Sequence, residues 1–194
     1  MTFLDIRLVP DPVLRRKARP VKVIDDTVRK LARDMIETMQ AAPGVGLAAN
    51  QVGVLLRVAT IQMPEEEPFV MINPVITHRE GTRVVEEGCL SVPGYVGSIE
   101  RSTLVKARYI DLQSSKHRVT AEDLLAQAIE HEVDHLNGIL YLDHLKSHED
   151  LKRAGAEEVA HSHDDVDFSR PSDLAPATLA DGGGSPQLVV PNRG

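Results

Sequence analysis

The chain has 194 residues, 42% apolar and 26% charged, enough for one ordinary domain with a buried core and too apolar to be disordered throughout. Its 22 basic and 29 acidic residues leave a formal charge of −7, which argues against direct nucleic-acid binding as its main task. The single cysteine excludes a disulfide scaffold and a multi-cysteine zinc knuckle within the chain. A lone thiol suits a reducing cytosol. The longest apolar runs, such as Val52–Ile61, are short and contain Arg57, so none would span a membrane. Met1–Pro10 carries Asp5 and Arg7 and lacks the apolar stretch of a secretory signal.

The first helix is expected where Val28, Leu31, Ala32, Met35, Ile36 and Met39 recur at helical spacing, capped by Asp25, Asp26 or Thr27 and ended by Pro43-Gly44. Short β-rich runs follow at Arg57–Met63, Phe69–Asn73, Arg83–Glu86 and Ser102–Ile110. In the last run Thr103, Val105, Ala107 and Tyr109 alternate onto one side. A second helix opens at Thr120-Ala-Glu-Asp123, which reads as a capping box, and closes at Asn137-Gly138. Leu145, Leu151, Ala154 and Val159 suggest a third helix over Asp143–Val159. From Ala160 to Gly194 the composition changes: four of the twelve prolines, Gly182-Gly183-Gly184 and one aromatic predict a flexible low-complexity tail. Residues 1–159 are therefore expected to be the catalytic domain and 160–194 the tail. Strands clustered before a central helix predict an α+β fold with antiparallel strands packed around that helix.

The strongest chemical signal is His131-Glu132-Val133-Asp134-His135. Histidines four apart on a helix stack one turn above the other, so both rings reach one ion. Glu132 lies one residue round from His131, where the general base for an activated water belongs. Leu124 and Ala128 share the histidine stripe, which should face the core. A catalytic site of this kind needs a third ligand. His144, His148 and Glu149 qualify by type, and so does Cys89 in Glu86-Glu87-Gly88-Cys89-Leu90-Ser91. A lone cysteine is more often a small buried hydrophobe than a ligand, but Gly88 gives the backbone freedom to bring the sulfur to a metal. Gly44-Val45-Gly46-Leu47-Ala48-Ala49-Asn50-Gln51 is glycine-rich without the Gly-Lys-Ser/Thr ending of a phosphate loop. Its small residues permit close approach of another backbone, and Gln51 offers an amide donor suited to an oxyanion.

Gly44–Gln51, Glu87–Ser91 and His131–His135, in that order, resemble the three hallmark segments of the peptide deformylase family. Val9–Arg15 looks like the family's N-terminal signature and His135–Asp143 like its post-helix segment, so the resemblance covers about residues 4–150. It implies a deformylase-like fold and a cytoplasmic, bacterial-type or organellar hydrolase of protein biosynthesis. Its substrate would be the N-terminal formyl-methionine of newly made polypeptides, cleaved to formate and a free amine by metal-hydroxide hydrolysis. Cys89, His131 and His135 would be the metal ligands, with Fe2+ as the physiological ion and Zn2+, Ni2+ or Co2+ able to replace it. Glu132 would move the proton, and Gln51 and the Leu90 backbone N–H would hold the oxyanion. Gly44, Val45 and Gly46 would pair with the peptide. Val45, Leu124 and Ala128 would line the methionine pocket, and Glu87 would pair with Arg101 as support. The implied partner is the nascent formyl-Met polypeptide, with transient proximity to the ribosome, no membrane and no direct nucleic-acid contact.

Three positions depart from the family pattern: Glu130 in place of Gln, Glu100 where proline is common, and Asp123 where glycine is common. Glu130 is expected to add negative charge around the site. Two other readings compete. A metallopeptidase would recruit its third ligand downstream of His135, and a metal-stabilised binding module would close the ion with a fourth protein ligand.

Overall fold

Two antiparallel sheets and two helices organise the chain in a computed structural model that describes residues 3–42 and 44–155. The larger sheet has the order β1-β2-β3-β6-β7, formed by Gly46–Ala48, Val58–Ile61, Phe69–Glu80, Leu104–Ile110 and Lys116–Glu122. The smaller has the order β4-β5-β8, formed by Arg83–Cys89, Val92–Arg101 and Leu151–Arg153. The α+β expectation holds. The expected tail at 160–194 lies outside the described residues.

Helix α1, Asp26–Ala41, starts where the spacing predicted, because the Asp25 carboxylate accepts the Val28 N–H at 3.0 Å. Its buried face of Val28, Ala32, Met35 and Met39 packs on Leu47, Val58, Val70 and Ile72. Helix α2, Asp123–Leu136, lies on the larger sheet through Ala126, Ile129 and Val133, which meet Ile61, Met71, Val105, Ala107 and Ala121. The alternation read in Ser102–Ile110 is real: Val105 and Ala107 are buried while Lys106 and Arg108 face outward.

Three sequence expectations are corrected. Thr120–Glu122 form no capping box: they end β7, and α2 starts at Asp123 without a side-chain cap. Strand pairing of Lys106 with Thr120 and Val105 with Ala121 outcompetes a cap worth about 1 kcal/mol. The turn from strand to helix puts Asp123 at φ +49, a left-handed backbone that explains why glycine is common there. The third helix over Asp143–Val159 does not form in its described part. Tyr141–His144 and His148–Asp150 are single 3-10 turns, and β8 follows, pairing Leu151 with Gly97 on β5. Ser147 and Asp150 cap the second turn through local hydrogen bonds, and these hold the backbone away from a continuous helix. Strands β1, β5 and β7 were not anticipated, and the Phe69 and Arg83 runs extend to Glu80 and Cys89.

Helix α2 stops where expected. Gly138, at φ +78, donates to the His135 carbonyl at 2.9 Å, and Ile139 donates to the Asp134 carbonyl at 2.9 Å. A Cβ on Gly138 would stand 2.5 Å from the Arg15 carbonyl oxygen. Gly138→Ala should therefore destabilise the fold by about 1–3 kcal/mol, read as a lower urea midpoint with an unchanged slope.

Candidate active site

The last two turns of α2 carry His131 and His135 on one side, and β4 ends at Cys89 opposite them. The three donor atoms converge: His135 Nε2 is 3.1 Å from His131 Nε2 and 3.2 Å from Cys89 Sγ. All three lie within 4.8 Å of one another. Bonds of about 2.0–2.3 Å to a tetrahedral ion imply ligand separations of roughly 3.3–3.5 Å, so the cluster fits a divalent metal. Two imidazoles and one thiol suit zinc or iron(II) better than a hard cation such as calcium. Of the downstream candidates, His144 instead approaches Asp134 at 2.8 Å, and His148 and Glu149 sit on an exposed turn. Among the described residues the only donor cluster that could hold a metal is Cys89, His131 and His135.

Each donor is held by neighbours. The Asn50 side-chain amide donates to the His135 carbonyl, and Ser91 N–H points at Cys89 Sγ at 3.4 Å. His131 Nδ1 is 2.6 Å from Glu87 Oε1, which fixes the ring so that Nε2 faces the cluster. Glu87 also accepts two bonds from Arg101, at 2.9 and 2.6 Å, and Arg101 Nη1 reaches Asp134 Oδ2 at 2.6 Å. The expected Glu87–Arg101 pair is present, and its contact with His131 was not foreseen. Burial raises the Glu87 carboxyl, but hydrogen bonds from His131 and Arg101 overcome this and bring it down to about 2.

Glu132 is buried, and its Oε2 has no hydrogen-bond partner among the described residues. Burial is the main reason its carboxyl is pushed up to about 7, a value suited to taking and returning a proton near neutrality. Gly46 explains how this carboxylate fits: a Cβ there would lie 2.2 Å from Glu132 Oε1. Gln51 is anchored by accepting the Ala48 N–H at 2.8 Å, and its amide nitrogen lies 3.6 Å from Cys89 Sγ and 3.2 Å from Ser91 Oγ.

Cys89, His131, Glu132, Glu87 and Gln51 line one cleft of about 510 Å³ between Gly44–Gly46, the β4–β5 hairpin and α2, and His135 lies behind its wall. Leu90, Val45, Leu124 and Ala128 are all in its wall. Leu124 is 41% exposed, so the first turn of the histidine stripe stands at the cleft mouth instead of in the core. Glu130 points out of the cleft, accepting bonds from Arg79 at 2.7 Å and from Ser102 N–H at 2.9 Å. It does not add charge to the donor cluster, because its carboxylate is spent on joining α2 to the larger sheet. Glu100 is on the outer side of β5, paired with Lys146.

The model of the polypeptide deformylase family matches residues 3–151. A peptide deformylase of Dehalococcoides mccartyi strain CBDB1 is 47% identical over 151 residues, 77% of this chain and 90% of that protein. One from Rhizobium meliloti is 45% identical over 158 residues, 79% of this chain and 89% of that protein. The crystal structure of a Synechococcus elongatus peptide deformylase in complex with actinonin has a TM-score of 0.74 at 39% identity, covering 76% of this chain and 83% of that one. A Met-Ala-Ser-bound deformylase from Acinetobacter baumannii has a TM-score of 0.71 at 34% identity, covering 74% and 99%.

Glu87 ionises at about 2 when folded against an ordinary 4.5, so its contribution to stability is complete above pH 4.5 and fades as pH falls toward 2. Urea unfolding across that window should show the wild type losing stability with acid and Glu87→Gln losing distinctly less.

Proposed function

The chain belongs to the peptide deformylase family and removes the N-formyl group from newly made polypeptides, and we propose that Cys89, His131, His135, Glu132, Gln51 and Leu90 carry out that reaction. The observation that carries this assignment is the position of Glu132. Glu132 lines the same cleft as Cys89 and His131, whose donor atoms converge with that of His135, and its buried Oε2 has no hydrogen-bond partner among the described residues.

The family is metal-dependent, and Cys89 Sγ, His131 Nε2 and His135 Nε2 would hold the divalent ion, with Cys89 as thiolate. When bound, the ion supplies Lewis acidity, lowering the pKa of a water and drawing electron density from the formyl oxygen. Iron(II) is the ion we assign in the cell, with zinc, nickel or cobalt able to replace it. The thiolate and the two imidazoles accept all four, and supply decides among them.

Glu132 takes the proton of the attacking water and returns it to the amine nitrogen as the C–N bond breaks, so formate leaves and the methionine amine is freed. The near-neutral carboxyl of Glu132 lets one group perform both transfers. Gln51, its oxygen fixed by Ala48 N–H, offers its N–H groups to the formyl oxygen as charge develops there, and Leu90 N–H is the second donor to the oxyanion. Gly44, Val45 and Gly46 lie at the sheet edge formed by β1, where an extended peptide can add as a strand. The formyl-methionine side chain then rests against Val45, Leu124 and Ala128. The Met-Ala-Ser peptide held by the Acinetobacter relative supports this reading of the cleft as a peptide site.

The catalytic unit is assigned to residues 1–159. Its partner is the formyl-peptide end of a growing chain, met in the cytoplasm during transient approach to the ribosome. Among the described residues no helix is long and apolar enough to cross a membrane.

Formate release from a formyl-Met peptide tests the assignment. Glu132→Gln should cut kcat by about 10²–10⁴ with the metal retained. Gln51→Ala should cost about 10²–10³ in kcat. Full activity in Glu132→Gln would overturn the assignment. Cys89→Ala should lose bound metal in elemental analysis, whereas a downstream third ligand predicts unchanged metal content.

A further inference from the structure

The outward face of the larger sheet carries a band of cations that the reaction does not use. Lys106 and Arg108 on β6 and Lys116 and Arg118 on β7 are all exposed on the side opposite α2. Their register makes the band: Lys106 faces Thr120, Arg108 faces Arg118, and Lys116 faces Ile110. The cations thus occupy three successive rungs about 6.6 Å apart, a strip roughly 13 Å long running obliquely across two strands. Among the described residues, none of the four has a carboxylate within ion-pair distance. The face carboxylates Glu80 and Glu122 both lie opposite Leu104, at the far end from Lys116.

Arg108 and Arg118 stand directly opposite each other, an arrangement that works against the sheet. It occurs in a chain with a net charge of −7, so the band does not follow from overall composition. Between the strands and Thr77 runs a groove of about 390 Å³ with Lys106, Arg108, Arg118 and Thr120 in its wall. No aromatic side chain lines it, so it offers backbone contacts and no platform for unstacked bases.

We infer that this face docks the phosphate backbone of an RNA duplex, without reading its sequence and contrary to the expectation of no direct nucleic-acid contact. A linear strip of cations matches a linear polyanion better than a single small anion, and duplex RNA presents phosphates in continuous rails. The choice of RNA rests on the activity assigned above, whose substrate is a chain still being made on an RNA-rich particle. The cleft opens on the α2 side of the sheet, so docking through the opposite face leaves it free for the peptide.

Fluorescence anisotropy of the full-length, metal-loaded protein with a labelled RNA duplex of about 16 base pairs tests this. Weak binding at low salt is expected, falling about 100-fold between 50 and 200 mM salt if four phosphates are contacted. Arg108→Glu with Arg118→Glu should weaken binding at least tenfold and keep the full rate of formate release from a short formyl-Met peptide. That rate separates loss of this surface from failure of the deformylase assignment or of the fold. No binding at low salt, equal binding by the double variant, tighter binding to single-stranded RNA, or binding only to anionic phosphatidylserine vesicles would each overturn the inference.

Discussion

Arg101 is the hinge of the molecule's logic. It is a buried cation from the end of β5, and it binds Glu87 of β4 with two hydrogen bonds and Asp134 of α2 with a third. Without it, two carboxylates would be left in a low-dielectric interior, and breaking such a pair typically costs about 3–5 kcal/mol. The arrangement therefore admits little variation. It fixes the smaller sheet against the helix, so that Cys89, two residues beyond Glu87, arrives beside His131 and His135. One guanidinium thus sets the distance between a thiol on one sheet and two imidazoles on a helix that packs on the other. Two histidines meet the same carboxylates: His131 approaches Glu87, and His144 approaches Asp134. The same carboxylate that anchors Arg101 also orients the His131 ring, which would hold the metal, so support and the proposed chemistry cannot be varied independently.

The sequence made the donor set legible because each donor lies in a compact motif. His131 and His135 announce themselves by helical spacing, and Glu132 by its place between them. Cys89 was decided only by resemblance, since its own spacing carries no preference over His144 or His148. The Glu87–His131 contact was invisible because the two are 44 positions apart and joined only by packing. Glu130 was legible as a departure but not in its direction, which depends on Arg79 of the larger sheet and Ser102 of the β5–β6 connection.

Among the elements, α1 was readable because cap, stripe and stop all agree locally. Strand β5 was not, since Pro93 and Gly94 near its start look like a turn and its partners lie on separate segments. Strand β7 reads as a polar run because its outer face is charged at Lys116, Arg118 and Glu122. The predicted third helix failed for a tertiary reason: Leu151 has a free strand to pair with, and a helical pattern carried by four apolar residues cannot outweigh a sheet edge.

The shortness of β1 has its own consequence. At three residues it borders the larger sheet, and among the described residues no strand pairs with its outer side. An open sheet border invites uncontrolled association with other extended chains, and long flat borders are the usual seeds of aggregation. Here the exposed ladder is only Gly46–Ala48, and it runs directly into the 3-10 turn at Ala49–Val52. A border that short can hold the first few residues of a visiting chain but cannot template a longer one. The protein can thus keep an adhesive edge open in a crowd of unfolded polypeptides without being captured by them.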